Sequence, residues 1–503
     1  MKNQPVTEDQ RRRFAWPHLS QLEQPAPAVQ VGVLALLIAA QVVAHLGWLS
    51  ISAASGQMVE PWLLGNGGVF FKTVIENRPP GLPVLLALLQ QAVSADPILT
   101  LRALNLLLVC AVTLLVFVAG RRLLNPLAGL LAAATWFALE PVFGNILLYF
   151  DSVLGLLFLA ALLVWWWLEG RKPGWAVPLV MGLLLGGATL IKQHAWAVVL
   201  VFGLWLLFNS RRRFADLAAY ALGVLVFPAA LLLIVAAQGT LDSYLFWNWG
   251  MNFGSVRPGS SLSGEFVRKA LLTVALVPAF LAFRPRYLPE RLASLVLVLW
   301  LGANATLLPN FGEIYMMAQL PLVAVMSGAA LALLVREART AGPTIGRQAI
   351  IGFTVVLLVG WSWMALAAYA PNAIGRAQIP AYDEFKPVAQ QLDALAAPGD
   401  TLFVLPELDG SAQLHVLTGL RPPGTWVHGH AWFFAVEAMA ERLMSEWQAD
   451  PPTFIVNFPD LTAESMPYIG PFVDFMNDHY HRVGQAEGVL FNGDAEIWRL
   501  NER

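Results

Sequence analysis

Residues Leu99–Ala119 read LTLRALNLLLVCAVTLLVFVA and contain a single charged side chain, Arg102. As an α-helix this run would extend about 30 Å, which is the hydrocarbon thickness of a bilayer. Similar apolar runs recur along the 503-residue chain, which is 57% hydrophobic and only 13% charged, with a mean hydropathy of +0.61. A soluble domain carries about 25% charged residues. The composition therefore predicts a polytopic α-helical membrane protein.

About eleven transmembrane helices are predicted from the apolar runs. They lie at residues 30–52, 99–119, 127–141, 145–168, 175–191, 195–209, 216–237, 267–283, 292–308, 315–335 and 349–371. With the N-terminus in the cytoplasm, every inside loop is basic, as the positive-inside rule requires. The short alternate loops 142–144 and 309–314 contain no Lys or Arg. An odd number of spans places the C-terminal segment outside the cytoplasm.

The chain divides into three parts. Residues 1–29 form a polar cytoplasmic segment, and the span after it is too long for a signal-peptide core, so we interpret it as a retained anchor. Residues 30–371 form the transmembrane domain, with an external loop at 53–96. Residues 372–503 are richer in charge and alternate strand-like with helix-like runs, which predicts a small extracytoplasmic α/β domain.

Two function classes are disfavoured by simple counts. The net charge of −2 gives no basic field for nucleic acid. The single cysteine, Cys110, allows neither an intrachain disulfide nor a cysteine-rich metal site.

A second external segment, 238–266, carries aromatic residues such as Tyr244, Phe246 and Trp247, which are typical of the lipid–water boundary.

Ionisable residues at membrane depth are costly, so each is a candidate for function. The ionisable residues predicted at the external face, together with one amide, share one level of the bundle: Glu76, Arg78, Asp151, Lys192, Gln193, His194, Glu313 and Tyr315. Arginine can bind phosphate through two N–H groups and lysine as a point charge, while paired carboxylates can hold a divalent cation. This set predicts a site for a phosphate-bearing substrate.

Each candidate also has a purely structural interpretation. Lys192 could extend to the lipid interface, Asp151 could cap its helix or pair with a cation, and Glu313 could be an ordinary loop charge. His45, inside the first span, is expected to be a packed, hydrogen-bonded core residue. His415, His428 and His430 resemble a metal cluster, but such histidines more often bind no metal.

The motif Glu76-Asn77-Arg78-Pro79-Pro80-Gly81, the acid Asp151 and the run Leu190-Ile191-Lys192-Gln193 resemble the GT-C glycosyltransferases. The group in question contains the protein O-mannosyltransferases and the lipid A aminoarabinose transferase. The resemblance covers residues 31–335 and, less closely, the tail. It implies transfer of a sugar from a polyprenyl-phosphate carrier to a lipid, glycan or protein acceptor, outside the cytoplasmic (inner) membrane.

The resemblance also implies roles for individual residues. Glu76 and Asp151 would act in catalysis and hold a divalent metal ion (Mg²⁺, Mn²⁺ or Zn²⁺), and Arg78, Lys192 and Gln193 would bind the carrier phosphate. Beside them, the expected substrate pocket is lined by Ala54, His194, Glu313 and Tyr315.

One position departs from the family pattern. Relatives open the first external loop with an acid that is the expected catalytic base, whereas Ala54 occupies that place here. Glu60 follows six residues later, about 240° round a helix, and is the nearest replacement base. Ala54 leaves three alternatives open: a diverged enzyme with a relocated base, an engineered inactive form, and a non-catalytic carrier-lipid binding protein. A fourth alternative, from another class, is a transporter or flippase of lipid-linked sugars. The last should show broken helices in two related halves, and no such pair is evident.

Overall fold

The computed structural model describes residues 24–47, 55–93, 97–143, 148–169, 174–253, 263–307, 313–340, 345–375, 385–406, 411–427, 434, 436–459, 466–487 and 494–501. Within these ranges nine helices have the length and apolar composition of membrane spans. The predicted spans 175–191 and 195–209 correspond to shorter helices of 14 and 15 residues. At about 1.5 Å per residue, each extends only about 20 Å. The multi-pass helical class is confirmed, and the count of eleven stays a prediction.

The helices of the membrane region, in chain order, are α1 Pro27–Gly47, α2 Ser55–Gly65, α3 Gly81–Val93, α4 Pro97–Leu123, α5 Pro126–Leu139, α6 Phe150–Leu168, α7 Ala176–Thr189, α8 Ala195–Asn209, α9 Arg213–Ala237, α10 Leu241–Leu245, α11 Met251–Phe253, α12 Gly264–Val274, α13 Val277–Tyr287, α14 Glu290–Ala303, α15 Leu320–Thr340 and α16 Ile345–Gly375. A π-helix, Phe246–Gly250, links α10 to α11. Short 3₁₀ helices are Glu140–Phe143, Asn304–Leu307 and Glu313–Ala318.

Burial identifies the centre of the bundle. The apolar stretch of α15 is 83% buried, whereas those of α1 and α16 are each only 17% buried. Both peripheral helices therefore present most of their side chains outward, as expected of helices that face lipid. The central α15 packs against α4, α5 and α6, and this packing holds the first half of the bundle together.

The C-terminal region is an α/β domain, as predicted. Its strands are β2 Leu402–Leu405, β4 Phe454–Asn457, β5 Tyr480–Ala486 and β6 Ala495–Leu500, and its helices are α17 Lys386–Leu395, α18 Gln413–Thr418, α19 Glu437–Ala449 and α20 Gly470–His479. The sheet order is β2-β4-β6-β5, with β2 parallel to β4 and β6 antiparallel to both of its neighbours. Strand β5 was not predicted, because most of its side chains are polar and at least partly exposed.

The α/β domain is docked on the first loop of the membrane region. Strand β1, Val74–Ile75, pairs in parallel with β3, Trp426–Val427. Around this pair, Phe71, Val74 and Trp247 form one hydrophobic cluster with Trp426. Because β1 ends directly before Glu76, the docked domain holds the first residue of the predicted site.

The aromatic segment after α9 differs from its predicted environment. Trp247 is 1% exposed and Tyr244 is 7% exposed, so both pack inside the cluster between the membrane helices and the α/β domain. Phe246 remains half-exposed. The prediction of a lipid–water boundary was wrong for the two buried rings, because aromatic composition does not distinguish an interface with lipid from one with protein.

Candidate functional site

The Arg78 guanidinium is held from two sides. Its Nη1 donates to Glu76 Oε1 at 3.1 Å, and its Nη2 donates to the Tyr149 hydroxyl at 2.7 Å. The guanidinium carbon also lies 4.7 Å from the centre of the Phe150 ring. Burial disfavours the charge, but Tyr149 and Glu76 hold the pKa of Arg78 above its ordinary value. Arg78 is therefore a fixed cation with its planar group oriented by its neighbours.

Lys192 and Asp151 form a second buried ion pair. Lys192 Nζ donates to both carboxylate oxygens of Asp151, at 3.0 and 2.8 Å. The same ammonium lies 4.1 Å from the centre of the Tyr315 ring, a cation–π contact. Lys192 is 4% exposed and Asp151 fully buried, so Lys192 does not extend to lipid. Asp151 is paired with a cation, which was one of the structural interpretations of this acid.

The two ion pairs belong to one cluster. The rings of Tyr149 and Tyr315 are 6.5 Å apart, and each ring contacts one of the two cations. We call the set Glu76, Arg78, Tyr149, Asp151, Lys192 and Tyr315 the charged cluster. It brings together residues from the first loop, the start of α6, the turn before α8 and the 3₁₀ helix before α15. Buried charges are tolerated only when paired in this way.

Two glycines permit the close approach of these segments. Gly81 N donates to Leu190 O at 2.8 Å, and a Cβ at Gly81 would lie 2.5 Å from the same oxygen. A Cβ at Gly155 would likewise lie 2.5 Å from Met317 O, so the absence of a side chain lets α6 pack against the 3₁₀ helix that carries Tyr315. The final glycine of the motif therefore joins the Arg78 loop to the Lys192 turn, because any side chain there would separate them.

A group of amide side chains lies against the loop between Glu76 and Arg78. Gln193 Nε2 donates to Asn77 O at 3.3 Å and to Asn248 O at 3.5 Å. Asn252 Nδ2 donates to Asn77 O at 2.6 Å and to Asn248 O at 3.1 Å. Gln193 thus contacts the loop backbone, whereas we predicted it to bind phosphate. We call Gln193, Asn248 and Asn252 the amide group.

The remaining predicted residues fall in several places. Glu60, in α2, is fully buried and close enough to Arg78 to act on its charge. His194 is partly exposed directly before α8. Ala54 and the side chain of Glu313 lie outside the described residues, as do His428 and His430.

Two further histidines named in the sequence analysis, His45 and His415, have structural partners. His45 Nε2 lies 3.0 Å from Glu140 Oε1, and both side chains are buried. His415 Nδ1 donates to Leu420 O at 2.9 Å inside the α/β domain. His45 is therefore a hydrogen-bonded core residue, as predicted.

Three residues of the site were missed from the sequence. Tyr149 directly precedes the Phe150-Asp151 pair, and its proximity to a predicted site acid was a usable signal. Asn248 and Asn252 stand in the aromatic segment that we assigned to the lipid boundary. A polar amide in a segment of large apolar side chains was the available signal, since amides are costly in lipid.

The arrangement does not fit the expected metal. Both oxygens of Asp151 bind Lys192, and Glu76 Oε1 accepts from Arg78 and from the backbone N of Asn77. Over the ranges that the structure describes, no three His, Cys, Asp or Glu side chains group as metal ligands. Among the described residues Glu76 Oε2 accepts no hydrogen bond, but Lys192 binds both oxygens of Asp151, so a metal held by the two acids would have to displace that cation.

The bundle, its first loop and the docked α/β domain together make a membrane protein of the GT-C fold. The fold is similar to that of ArnT from Cupriavidus metallidurans in the apo state, with a TM-score of 0.61 at 13% identity over 93% of this chain and 98% of ArnT. It is similar to ArnT bound to undecaprenyl phosphate, with a TM-score of 0.59 at 14% identity over the same shares of both chains.

A second similar structure is the archaeal oligosaccharyltransferase AglB from Archaeoglobus fulgidus, in complex with an inhibitory peptide and a dolichol-phosphate. Its TM-score is 0.56 at 12% identity, over 93% of this chain and 74% of AglB. The sequence itself matches no protein-family model and no curated protein. At these identities the similarity establishes the fold, and the predicted resemblance to GT-C proteins is confirmed at that level.

Proposed function

We propose that this protein transfers a sugar from a polyprenyl-phosphate carrier to an acceptor on the extracytoplasmic side of the cytoplasmic membrane. The observation that carries the proposal is that two buried cations, Arg78 and Lys192, each paired with an acid, lie in one cluster of a GT-C fold. Two proteins of similar fold were solved with undecaprenyl phosphate and with a dolichol-phosphate. A carrier phosphate is the ligand that two adjacent cations would bind.

In the proposed reaction an acceptor oxygen attacks the anomeric carbon of the sugar. The bond between that carbon and the phosphate oxygen breaks, and its electron pair leaves with the polyprenyl phosphate. Arg78 and Lys192 stabilise the negative charge that develops on the phosphate. Fixed charges aimed at such a site are commonly the largest contribution to catalysis. Lys192 would bind the phosphate while still paired with Asp151, because an ammonium group has three N–H donors.

The acceptor must lose a proton during the attack. Glu60 is our proposed base because it is fully buried and acts electrostatically on Arg78, and because its helix, α2, begins directly after the position at which the resemblance expects an acid. Glu76 is bound to Arg78 and to the Asn77 backbone, so we assign it to positioning the guanidinium. No step of this mechanism uses a metal, because the carboxylates pair with cations.

A second candidate function is carrier-lipid binding without transfer. The observation that favours it is Ala54, which cannot accept a proton. The charged cluster would be the same in both cases, so phosphate binding does not distinguish them. Transfer of sugar to any acceptor would exclude this second candidate.

The test compares Arg78→Ala with Arg442→Ala in purified protein in lipid nanodiscs. Arg442 is a matched control because it is exposed on α19 and pairs with Glu446. Binding of undecaprenyl phosphate should weaken roughly 30-fold to several thousand-fold in Arg78→Ala, from loss of about 2–5 kcal/mol. Arg442→Ala should bind like the parent. Equal binding by Arg78→Ala and the parent would overturn the proposal.

Transfer is measured in the same preparation. A radiolabelled polyprenyl-phosphate sugar is incubated with lipid, glycan and peptide acceptors. Labelled acceptor should accumulate with the parent and not with Arg78→Ala. Carrier binding with no transfer to any acceptor would favour the second candidate.

A further inference from the structure

The amide group contains buried polar atoms that have no hydrogen-bond partner among the residues that the structure describes. Asn248 is 0% exposed, and within the described part of the chain neither its Oδ1 nor its Nδ2 has a hydrogen-bond partner. Within the described part of the chain, Gln193 Oε1 and Glu76 Oε2 also have no hydrogen-bond partner. An unpaired buried amide or carboxylate oxygen loses its hydrogen bonds to water without gaining one in the protein, which destabilises the fold. Native proteins seldom retain several of these groups together without a ligand or water that binds them.

These unpaired groups belong to neighbouring residues. Gln193 and Asn252 both donate to the carbonyl of Asn77 and both contact the carbonyl of Asn248. Asn77 lies between Glu76 and Arg78, so the amide group is adjacent to the cation that we assign to the carrier phosphate. In a polyprenyl-phosphate sugar, the sugar is bonded directly to that phosphate. The amide group therefore lies where the transferred sugar would lie.

The local backbone supports a binding role. Asn248 is the central residue of the π-helix Phe246–Gly250. Single π-helical turns are rare in proteins, and many of those that do occur lie at functional sites. This turn is anchored by the buried Trp247 and carries the exposed Phe246, so its position is fixed by packing on one side.

The unpaired atoms indicate the chemistry of the ligand. Three are acceptors, namely Asn248 Oδ1, Gln193 Oε1 and Glu76 Oε2, and one is a donor, Asn248 Nδ2. A ligand that supplies several O–H donors and an oxygen acceptor matches this set. Asn248 and Gln193 are neutral, and the charge of Glu76 is offset by Arg78. The set therefore fits the hydroxyl groups of an uncharged sugar better than an amino sugar or a uronic acid.

We propose that Asn248, with Gln193 and Glu76, forms a subsite that binds the hydroxyl groups of a neutral transferred sugar. The subsite rests on the proposed function, since it presumes that Arg78 binds the carrier phosphate. Asn248 acts as a specificity residue, because its side chain binds the sugar and makes no contact that the phosphate needs. The proposal therefore predicts that a substitution of Asn248 changes the selectivity among sugars and leaves the affinity for the bare carrier unchanged.

The test uses Asn248→Leu, with Asn209→Leu as the matched control. Asn209 ends α8, fourteen residues or about 20 Å along the helix from its first residue, and its Nδ2 donates to Trp205 O. Binding is measured for undecaprenyl phosphate and for polyprenyl phosphate carrying a neutral hexose, its single-deoxy analogues, or an amino hexose. The parent should prefer the complete neutral hexose over the other sugars.

Asn248→Leu should reduce the preference for the complete hexose over its deoxy analogues by roughly tenfold, the value of one or two hydrogen bonds. Its affinity for undecaprenyl phosphate should remain that of the parent, and so should both properties of Asn209→Leu. An unchanged sugar preference, or an equal loss for loaded and bare carrier, would overturn the subsite. Failure of the parent to bind any carrier would instead overturn the proposed function.

Stability supplies an independent readout. Replacing an unsatisfied buried amide by an apolar group of similar shape should leave the melting temperature unchanged or raise it. If buried water satisfies Asn248 in a purely structural role, Asn248→Leu should melt lower and keep the parent's sugar preference, which would contradict the subsite. Should Asn248→Leu fail to fold, Asn248→Ser takes its place, and an unchanged preference in that variant counts against the proposal.

Discussion

The backbone N of Trp426 donates to the carbonyl of Thr73 at 2.9 Å, which joins the α/β domain to the first membrane loop three residues before Glu76. This bond extends the parallel pairing of β1 with β3. The pairing requires the first loop and the α/β domain to lie on the same side of the membrane. It also makes the position of Glu76 depend on a distant domain, whose first helix begins at Lys386.

Trp426→Ala tests this dependence. The ring is 1% exposed, and removing a buried tryptophan costs about 3–5 kcal/mol. We expect loss of transfer activity and faster protease cleavage between the membrane region and the α/β domain, with the membrane helices still folded. Trp175→Ala, at a 54% exposed position, is the control and should behave like the parent. Full activity in Trp426→Ala would show that the docked domain does not position the site.

The charged cluster can be tested by removing one or both charges of a pair. Lys192→Met should destabilise the protein by about 3–5 kcal/mol, because it leaves Asp151 buried without its cation. Lys192→Met combined with Asp151→Asn should recover most of that stability. The double variant should still lack carrier binding at parental strength if Lys192 binds phosphate. Recovery of both stability and binding would mean that the pair is structural only. Thermal unfolding in detergent and carrier titration give the two readouts.

Gly81→Ala tests the junction between the Arg78 loop and the Lys192 turn. The added Cβ would lie 2.5 Å from Leu190 O, so the two segments must separate. We expect a stability loss of about 1–3 kcal/mol and a larger proportional loss of transfer activity. Gly360→Ala is the control, because a Cβ there meets no atom within 4 Å. Parental activity in Gly81→Ala would refute a role for this close approach.

The α/β domain should lose stability in mild acid because of His415. Burial lowers the pKa of His415 from 6.5 to about 4, so the folded domain keeps the ring neutral. Between pH 6.5 and 4 the unfolded chain binds a proton that the folded chain does not, and stability falls as the pH falls. From pH 7.5 to 5.0 the loss should be about 2 kcal/mol.

Urea unfolding of the α/β domain at pH 7.5 and 5.0 measures this loss. His415→Asn is the comparison, because its amide can still donate to Leu420 O but does not titrate in this range. The variant should show a smaller difference between the two pH values. An identical pH dependence in parent and variant would assign the effect to other groups.

Ala54→Asp addresses the catalytic base. A positioned general base contributes roughly 10²–10⁴-fold to transfer. We therefore expect Ala54→Asp to raise turnover while the affinity for the bare carrier stays nearly unchanged. If turnover does not rise and the parent is already active, Glu60→Gln should abolish activity, because Glu60 would then be the base. Parental activity in Glu60→Gln, together with no gain from Ala54→Asp, would exclude both positions as the base.

The sequence by itself determined that this is a multi-pass helical membrane protein with an α/β domain. Hydropathy and strand alternation are local properties, so the class can be predicted without knowing which segments meet. The motif around Glu76 and Arg78, with Asp151 and Lys192, was also visible. Its charges stood out because ionisable groups are rare in apolar segments.

The tertiary structure decided which of these residues meet. Lys192 pairs with Asp151 across 41 residues, and Gln193 reaches Asn77 across 116. Composition could not give these partners, because helix faces that contact lipid and faces that contact protein are equally apolar. Tyr149 and Asn248 each gave a sequence signal, but only the packing assigns them to the site. One polar side chain in an apolar segment gives the same signal whether it faces lipid headgroups or a buried site.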